Sequence, residues 1–155
     1  MSQDPDVTLR RAIPEDAPAI RDLVRAAYAK WVPVVGREPL PMKADYERAV
    51  REHRVDILDC DGRMVGLIET MLRDDHLWIE NVAVAPDNQG RGLGRRLLAH
   101  AEREAASAGR RELRLLTNAA FAANVTLYTA LGYRIDRRET FMGGITVYMS
   151  KRIGW

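Results

Sequence analysis

The chain has 155 residues, enough for one well-packed core and too few for two ordinary domains, so we predict a single domain over residues 1–155. Hydrophobic residues make up 46% and charged residues 30%, a balance that is typical of folded globular proteins and argues against disorder. The 24 basic and 22 acidic side chains leave a formal net charge of +2, which gives no sign of a nucleic-acid partner.

Cysteine content and hydropathy bear on the compartment of the protein. Cys60 is the only cysteine, so no internal disulfide forms, which fits the reducing cytoplasm. No apolar run approaches the length of a membrane span, and residues 1–5 show no signal-peptide pattern. His53, His76 and His100 lack the spacing of a zinc site. We expect a cytoplasmic protein with no metal and no membrane association.

The first third of the chain predicts a strand and two helices. Residues 7–12 form a short strand pattern, and a helix follows from Pro14, since proline suits the first helical turn. Residues 45–51 predict the second helix. Between the helices, residues 31–41 contain three prolines and a glycine, which favours a loop. The apolar face of the first helix is formed by Ile20, Leu23, Val24 and Ala27.

The loop over residues 31–41 is a candidate lid for a substrate, because long apolar loops in compact domains are often functional. Tyr28, Trp31 and Tyr46 would then form the wall of the substrate pocket. The alternative is that Trp31 and Val34 close the hydrophobic core.

The next part of the chain predicts a hairpin and a central strand. Residues 55–58 and 64–72 are β-like runs, joined by a turn that contains the hairpin signal Asp61-Gly62. Residues 76–85 carry apolar side chains on both faces, as expected for a strand covered on two sides. This strand should lie in the middle of the sheet.

A glycine-rich turn follows the central strand. Gly90, Gly92 and Gly94 have no Cβ, so the backbone can adopt positive φ and direct several N–H groups at one ligand. The helix that begins here presents unpaired N–H groups and the positive end of its dipole, which also suit an anion. Positive charge is added by Arg91, Arg95 and Arg96. The turn therefore indicates a phosphate site, the alternative being a plain connection.

Two common phosphate motifs do not fit this turn. A P-loop needs Lys and then Ser or Thr after its last glycine, and here Arg95 and Arg96 follow Gly94. The dinucleotide motif G-x-G-x-x-G would need a glycine at Arg95 and normally follows the first strand. The turn therefore matches neither the P-loop nor the dinucleotide-binding motif.

The last third of the chain predicts a parallel strand, a helix and a hairpin. The helix after the turn ends at Gly109, and its apolar stripe comprises Leu93, Leu97, Leu98, Ala101 and Ala105. Residues 112–117 should then run parallel to the central strand, as in a βαβ unit. A helix over residues 120–131 and a hairpin of residues 133–140 and 145–151 complete the chain.

Gln89, Gly92 and Gly94, after a hydrophobic strand that ends at Ala85-Pro86, match the signature Q/R-x-x-G-x-G/A. In this the chain resembles the GCN5-related N-acetyltransferase (GNAT) family. The resemblance implies an α/β (α+β) acyl-CoA N-acyltransferase fold: a mixed, mostly antiparallel central sheet of about seven strands, flanked by helices. It implies that the central strands splay apart for the pantetheine arm.

The same resemblance implies an acetyltransferase that moves an acetyl group from acetyl-CoA to a primary amine of a small molecule or peptide. Dimers are common in that family, and the oligomeric state stays open. Coenzyme A contacts are expected at Val82, Ala83, Val84, Gln89, Gly90, Arg91, Gly92, Leu93, Gly94, Arg95, Asn124 and Tyr128. Backbone N–H groups near residues 81–84 would stabilise the oxyanion.

Two residues are expected to carry the acid–base chemistry. The resemblance places Tyr128 near the coenzyme sulfur as the acid, with Asn124 four residues earlier on the same helix face. An alkyl amine has a pKa of ~10.4, so only about one in ~10³ molecules is neutral at pH 7, and a base is needed. Glu80 is the candidate base and substrate contact, because desolvation in an apolar strand would raise its pKa. Two alternatives stay open: Glu69 is the base, or Glu80 has a purely structural role.

Other mechanisms and functions stay open at this point. Cys60 has no histidine placed to activate it, so direct transfer in a ternary complex is the simpler mechanism. A non-catalytic acyl-CoA sensor would use the same phosphate turn without transfer. As a third possibility, the turn would bind the phosphates of a nucleotide.

Overall fold

A computed structural model describes residues 7–154, so the predictions for residues 1–5 fall outside the described part. The strands are β1 Val7–Arg11, β2 Arg54–Cys60, β3 Arg63–Leu72, β4 Leu77–Val84, β5 Glu112–Asn118, β6 Arg134–Phe141 and β7 Gly144–Arg152. The helices are α1 Ala17–Tyr28, α2 Val32–Val35, α3 Tyr46–Glu52, α4 Leu93–Ser107 and α5 Ala122–Ala130. Within residues 7–154, no helix is long and apolar enough to cross a membrane.

The seven strands form one mixed sheet in the order β1-β2-β3-β4-β5-β7-β6. Only the β4–β5 pair is parallel, and α4 is its crossover helix, as the βαβ pattern predicts. β4 is the fourth strand of seven, so its predicted central place is confirmed. The prediction of a mixed, mostly antiparallel sheet of about seven strands is confirmed as well.

Helices cover both faces of the sheet and create two apolar cores. On one face, the predicted stripe of α4 is buried, with Leu97 and Ala101 fully inaccessible against β3, β4 and β5. On the other face, the stripe of α1, including Ile20 and Val24, packs on β2, β3 and α3. The 3.6-residue periodicity therefore identified the buried faces of both long helices correctly.

The prediction of a loop over residues 31–41 is correct only for residues 36–39, and the rest of this segment is helical. A 3-10 turn leads into the short helix α2, a second 3-10 helix covers Leu40–Lys43, and Gly36 ends α2 with φ of 77°. Pro33 occupies the first turn of α2, where its missing N–H costs no hydrogen bond, so this proline permits a helix. Arg25 then holds the segment, donating to Glu38 at 2.7 Å and to the Met42 carbonyl at 2.9 Å.

β4 and β5 separate soon after they meet. They pair only from Leu77 to Ile79, opposite Leu113 to Leu115, and beyond Ile79 the two strands are not paired with each other. The β3–β4 ladder matches Thr70 with Ile79 and Glu69 with Asn81, which leaves Glu80 without a partner in a β-bulge. The splayed central strands expected from the family resemblance are thus present.

Beyond the bulge, each β4 side chain points to the face of the sheet opposite to the one that regular alternation would give. Before it, Leu77 and Ile79 lie in the core beneath α4; after it, Ala83 lies in the core beneath α1 and α3. Because side chains of a strand alternate between faces, one extra residue exchanges the two sets. Asn81 consequently faces α1 and α3, and Glu80 becomes exposed.

Truncating a core side chain of α4 tests this packing. Leu97 is fully buried, so Leu97→Ala should lower the free energy of unfolding by about 2–5 kcal/mol through lost burial and a residual cavity. Leu72 is 53% exposed at the end of β3, so Leu72→Ala should cost far less. Denaturant unfolding of both variants measures the difference, and equal losses would contradict the assigned core.

Candidate active site

The glycine turn between β4 and α4 has the geometry of an anion site. Gly90 and Gly92 adopt left-handed φ angles of 81° and 78°, and Gly92 directly precedes the 15-residue helix α4. The N–H groups of Gly90, Arg91 and Gly92 donate no hydrogen bond to any residue between 7 and 154. These N–H groups, with those of the first turn of α4, are therefore available to phosphate oxygens.

A cleft of about 420 Å³ opens over this turn, and we name it the turn cleft. It is lined by β4 from Val82 to Val84, residues 88–90 and 92–95, the end of α1 and one side of α5. Every residue predicted to contact the coenzyme lines the turn cleft except Arg91. The roles of these residues stay predictions, but the fold brings them together.

A second cleft of about 410 Å³, the strand cleft, lies where β4 and β5 separate. Its floor is formed by β4 and β5, one wall by residues 35–41, and the opposite wall by the β6–β7 hairpin. The two clefts share four lining residues, Tyr28, Val82, Asn124 and Tyr128. The divergence of the central strands thus joins the two spaces at one point.

Tyr128 stands at this junction on α5. Its side chain is buried, and burial raises its pKa to about 12, so the hydroxyl stays protonated at neutral pH. Within residues 7–154 the hydroxyl makes no hydrogen bond, and the ring packs on Tyr133 at a centroid distance of 5.7 Å. A neutral O–H group without a partner, facing both clefts, can donate a proton to a group bound there.

A buried amide ties α1 and α3 to β4 beside the junction. The Tyr28 hydroxyl donates to Asn81 Oδ1 at 2.8 Å, and Asn81 Nδ2 donates to the Tyr46 hydroxyl at 3.2 Å. The Tyr46 hydroxyl in turn donates to the Pro41 carbonyl at 2.6 Å. The sequence prediction did not include the Asn81 side chain, although an amide within an apolar strand is the signal that identifies it.

The three residues predicted to bind substrate lie in different places. Tyr28 lines both clefts. Trp31 lines the turn cleft but not the strand cleft, and it stacks on Phe121 at a centroid distance of 4.8 Å. Tyr46 is 4% exposed and lines neither cleft, which makes it a support for Asn81 and not a wall of the pocket.

The two candidate bases also differ in position. Glu80 lines the strand cleft, but it is exposed and accepts a hydrogen bond from Trp78 Nε1 at 2.8 Å, so the expected desolvation is absent. Glu69 is 5% exposed, and burial raises its pKa above the usual value. Its carboxylate lies 2.6 Å from His53 Nδ1 and lines neither cleft. Of the two candidate bases, Glu80 is therefore the one that can contact a ligand in the strand cleft directly.

The turn cleft has a cationic side chain that the sequence did not identify. Lys30, just after α1, lines this cleft and donates to Gln89 Oε1 at 2.9 Å, while Gln89 Nε2 donates to the Val84 carbonyl at 3.0 Å. Together with Arg95, it adds positive charge to the lining of the cleft. Charge of this sign suits a polyphosphate ligand. Among the described residues, no group of His, Cys, Asp or Glu could hold a metal ion.

The family model for the acetyltransferase (GNAT) family matches residues 18–133. The chain belongs to this family. A relative from Salmonella typhimurium, a ribosomal protein bS18-alanine N-acetyltransferase, is 41% identical over 76 residues. That match covers 49% of this chain and 51% of the relative, so the chain spans about half the length of the curated relatives it matches.

Solved structures agree with the fold. The ribosomal-protein-S18-alanine N-acetyltransferase of Escherichia coli superposes with a TM-score of 0.74 at 26% identity, over 96% of this chain and 95% of that one. A PaiA N-acetyltransferase of Thermoplasma acidophilum, solved in complex with coenzyme A, gives a TM-score of 0.83 at 15% identity, over 96% and 99%. The GNAT fold expected from the signature is confirmed.

The glycine turn can be tested by a matched pair of alanine substitutions. Gly92 and Gly109 have φ of 78° and 74°, and a Cβ would meet nothing within 4 Å at either position. Both Gly92→Ala and Gly109→Ala should therefore cost about 1–2 kcal/mol in stability through left-handed strain. Relief of that strain displaces the free N–H groups only in Gly92→Ala, so that variant alone should bind coenzyme A about tenfold more weakly.

Isothermal titration of coenzyme A into the folded variants measures this difference. Equal affinity of Gly92→Ala and Gly109→Ala would remove the turn from the binding site.

Proposed function

We propose that the protein is an acetyl-CoA-dependent N-acetyltransferase that transfers the acetyl group to a primary amine of a small molecule or peptide. The observation that carries the proposal is the junction of two clefts at Tyr128 and Val82, one cleft suited to a polyphosphate and the other open to an acceptor. Two reactants bound from opposite sides would meet there, in a ternary complex. The free thiol of Cys60 is compatible with a cytoplasmic location.

The residues of the turn cleft fit coenzyme A. The diphosphate would lie on the N–H groups of residues 90–95, with Lys30 and Arg95 in the lining of the same cleft. The pantetheine arm is an extended chain with two amides, and the edge of β4 from Val82 to Val84 is not paired with β5. An unpaired strand edge offers the N–H and C=O groups that such a chain needs.

The amine would enter through the strand cleft. Glu80 would attract the ammonium group and accept its proton, directly or through water. The neutral nitrogen then attacks the thioester carbonyl, and a β4 N–H group near Val82 stabilises the oxyanion. As the tetrahedral intermediate collapses, its nitrogen loses a second proton to water, the C–S bond breaks, and a neutral amide and a thiolate are left.

Tyr128 would protonate the departing thiolate. A hydroxyl whose pKa burial raises to about 12 is fully protonated at pH 7 and available as a donor. An alkyl thiol has a pKa of ~8.5, so its thiolate is a tolerable leaving group and the acid assists without being indispensable. Cys60 lines neither cleft, which favours direct transfer over a covalent intermediate on sulfur.

An acetyl-transfer assay tests the proposal. The protein is mixed with acetyl-CoA and a panel of primary amines, and free thiol is measured; we expect thiol release that depends on both enzyme and amine. Coenzyme binding without release for any amine would instead indicate an acyl-CoA sensor. Equal thermal protection by adenosine diphosphate and coenzyme A would indicate a nucleotide-binding protein.

Two neighbouring buried tyrosines provide a controlled test of the acid. Tyr128→Phe should lower kcat by about tenfold to a hundredfold, the low end for a general acid, because the leaving group is good. The KM for acetyl-CoA should change little. Tyr133 packs on Tyr128, lines neither cleft, and its buried hydroxyl has no partner among residues 7–154. Steady-state kinetics should show Tyr133→Phe at the wild-type rate; a loss of kcat in both variants would indicate a packing effect.

A further inference from the structure

The strand cleft contains an arginine that the protein does not neutralise. Arg37 lies in the wall formed by residues 35–41 and is half-buried. Within residues 7–154 its guanidinium forms no ion pair or hydrogen bond. Arg25, by contrast, already anchors this wall through Glu38 and Met42, so Arg37 is not required to hold the segment in place.

The other charged side chains of the strand cleft have the opposite sign. Glu80 stands on the floor and Glu139 on the wall formed by the β6–β7 hairpin. Glu139 makes a 3.5 Å ion pair with Arg137, and Glu80 accepts only the Trp78 indole N–H. The cleft thus presents one free cation on one wall and carboxylates on the floor and the facing wall.

Such a distribution of charge is complementary to a molecule with two opposite charges. An ammonium group alone would be attracted by Glu80 and repelled by Arg37, and a polyamine would place a second cation near Arg37. A partly buried guanidinium gains most from an anion that fits its planar pair of N–H groups, and a carboxylate does so with two parallel hydrogen bonds.

The space between the charges is apolar. Leu40, Leu116 and Phe141 line the strand cleft and remain 53%, 47% and 46% exposed, so they give one cleft several exposed apolar side chains, a feature that often marks a ligand-binding groove. An acceptor with an apolar body would cover them. The cleft volume of about 410 Å³ is in the range of small-molecule sites.

We propose that the acceptor is an amine that also carries a carboxylate and an apolar body, and that Arg37 binds the carboxylate while the amine points toward Tyr128 and Glu80. This inference rests on the proposed acetyl transfer and names the class of acceptor. An amino acid with an apolar side chain has all three parts.

Matched acceptors separate the carboxylate from the amine and the apolar body. Leucine, leucinamide and 3-methylbutylamine share the body and the amine, and equivalent sets can be based on methionine and phenylalanine. Each acceptor is assayed by thiol release with the wild type, Arg37→Gln and Arg37→Lys. Because each acceptor is compared with itself across variants, the intrinsic reactivity of its amine cancels.

Arg37→Gln should raise the KM of the carboxylate-bearing acceptor by about tenfold or more, the effect of losing a hydrogen-bonded charge pair, with a smaller change in kcat. Arg37→Lys should recover part of the loss. The KM values of the amide and the simple amine should change less than threefold. Arg138 on β6 is exposed and lies outside the strand cleft, so Arg138→Gln should leave all KM values unchanged and controls for net charge.

The outcomes distinguish the inference from the function on which it depends. If simple amines are acetylated as well as the amino acids, and Arg37→Gln affects all three acceptors equally, the carboxylate role is overturned while acetyl transfer stands. If no amine in the panel or beyond it releases thiol, both are overturned. A loss confined to the carboxylate-bearing acceptors supports the inference.

Discussion

The site depends on a single extra residue in the central strand. Glu80 has no partner on β3, and immediately before it β4 loses its pairing with β5. A continuous parallel ladder would satisfy the backbone groups of β4 and close the sheet. The bulge instead bends the strand away, so a stretch of backbone remains unpaired in the middle of the molecule. Unpaired central backbone is costly in a core, and a ligand with amide groups can satisfy it.

The same bulge determines which side chains support the clefts. By exchanging the faces of β4, it turns Asn81 inward, where the amide bonds to Tyr28 from α1 and Tyr46 from α3. Each such hydrogen bond contributes about 0.5–1.5 kcal/mol net. The wall that carries Tyr28 is therefore fixed to the strand whose edge faces the turn cleft.

Local patterns of the sequence predicted most of the fold, and non-local geometry accounts for the errors. The stripes of α1 and α4 and the turn glycines follow from periodicity and from the lack of a Cβ, which are local properties. Glu80 was expected in a desolvated position because it lies within an apolar strand, but the β-bulge, which depends on pairing with β3, leaves it unpaired and exposed. Tyr46 and Trp31 were assigned to one pocket, but Tyr46 contacts a buried amide and Trp31 a neighbouring ring. The sequence does not separate these cases, because the contacts of an aromatic ring depend on tertiary packing.

The two clefts also differ in how they provide charge, and this difference fits the two reactants. The turn cleft offers backbone N–H groups with Lys30 and Arg95, a fixed field that suits an anion present in every catalytic cycle. The charges of the strand cleft are carried by side chains, with Glu80 exposed and Arg37 unpaired among the described residues. Side chains on a wall can be exchanged without disturbing the sheet, whereas the turn amides depend on the backbone path itself. Under the proposed function, acceptor choice would depend on residues 35–41 and the β6–β7 hairpin, and donor choice on the bulge and the glycine turn.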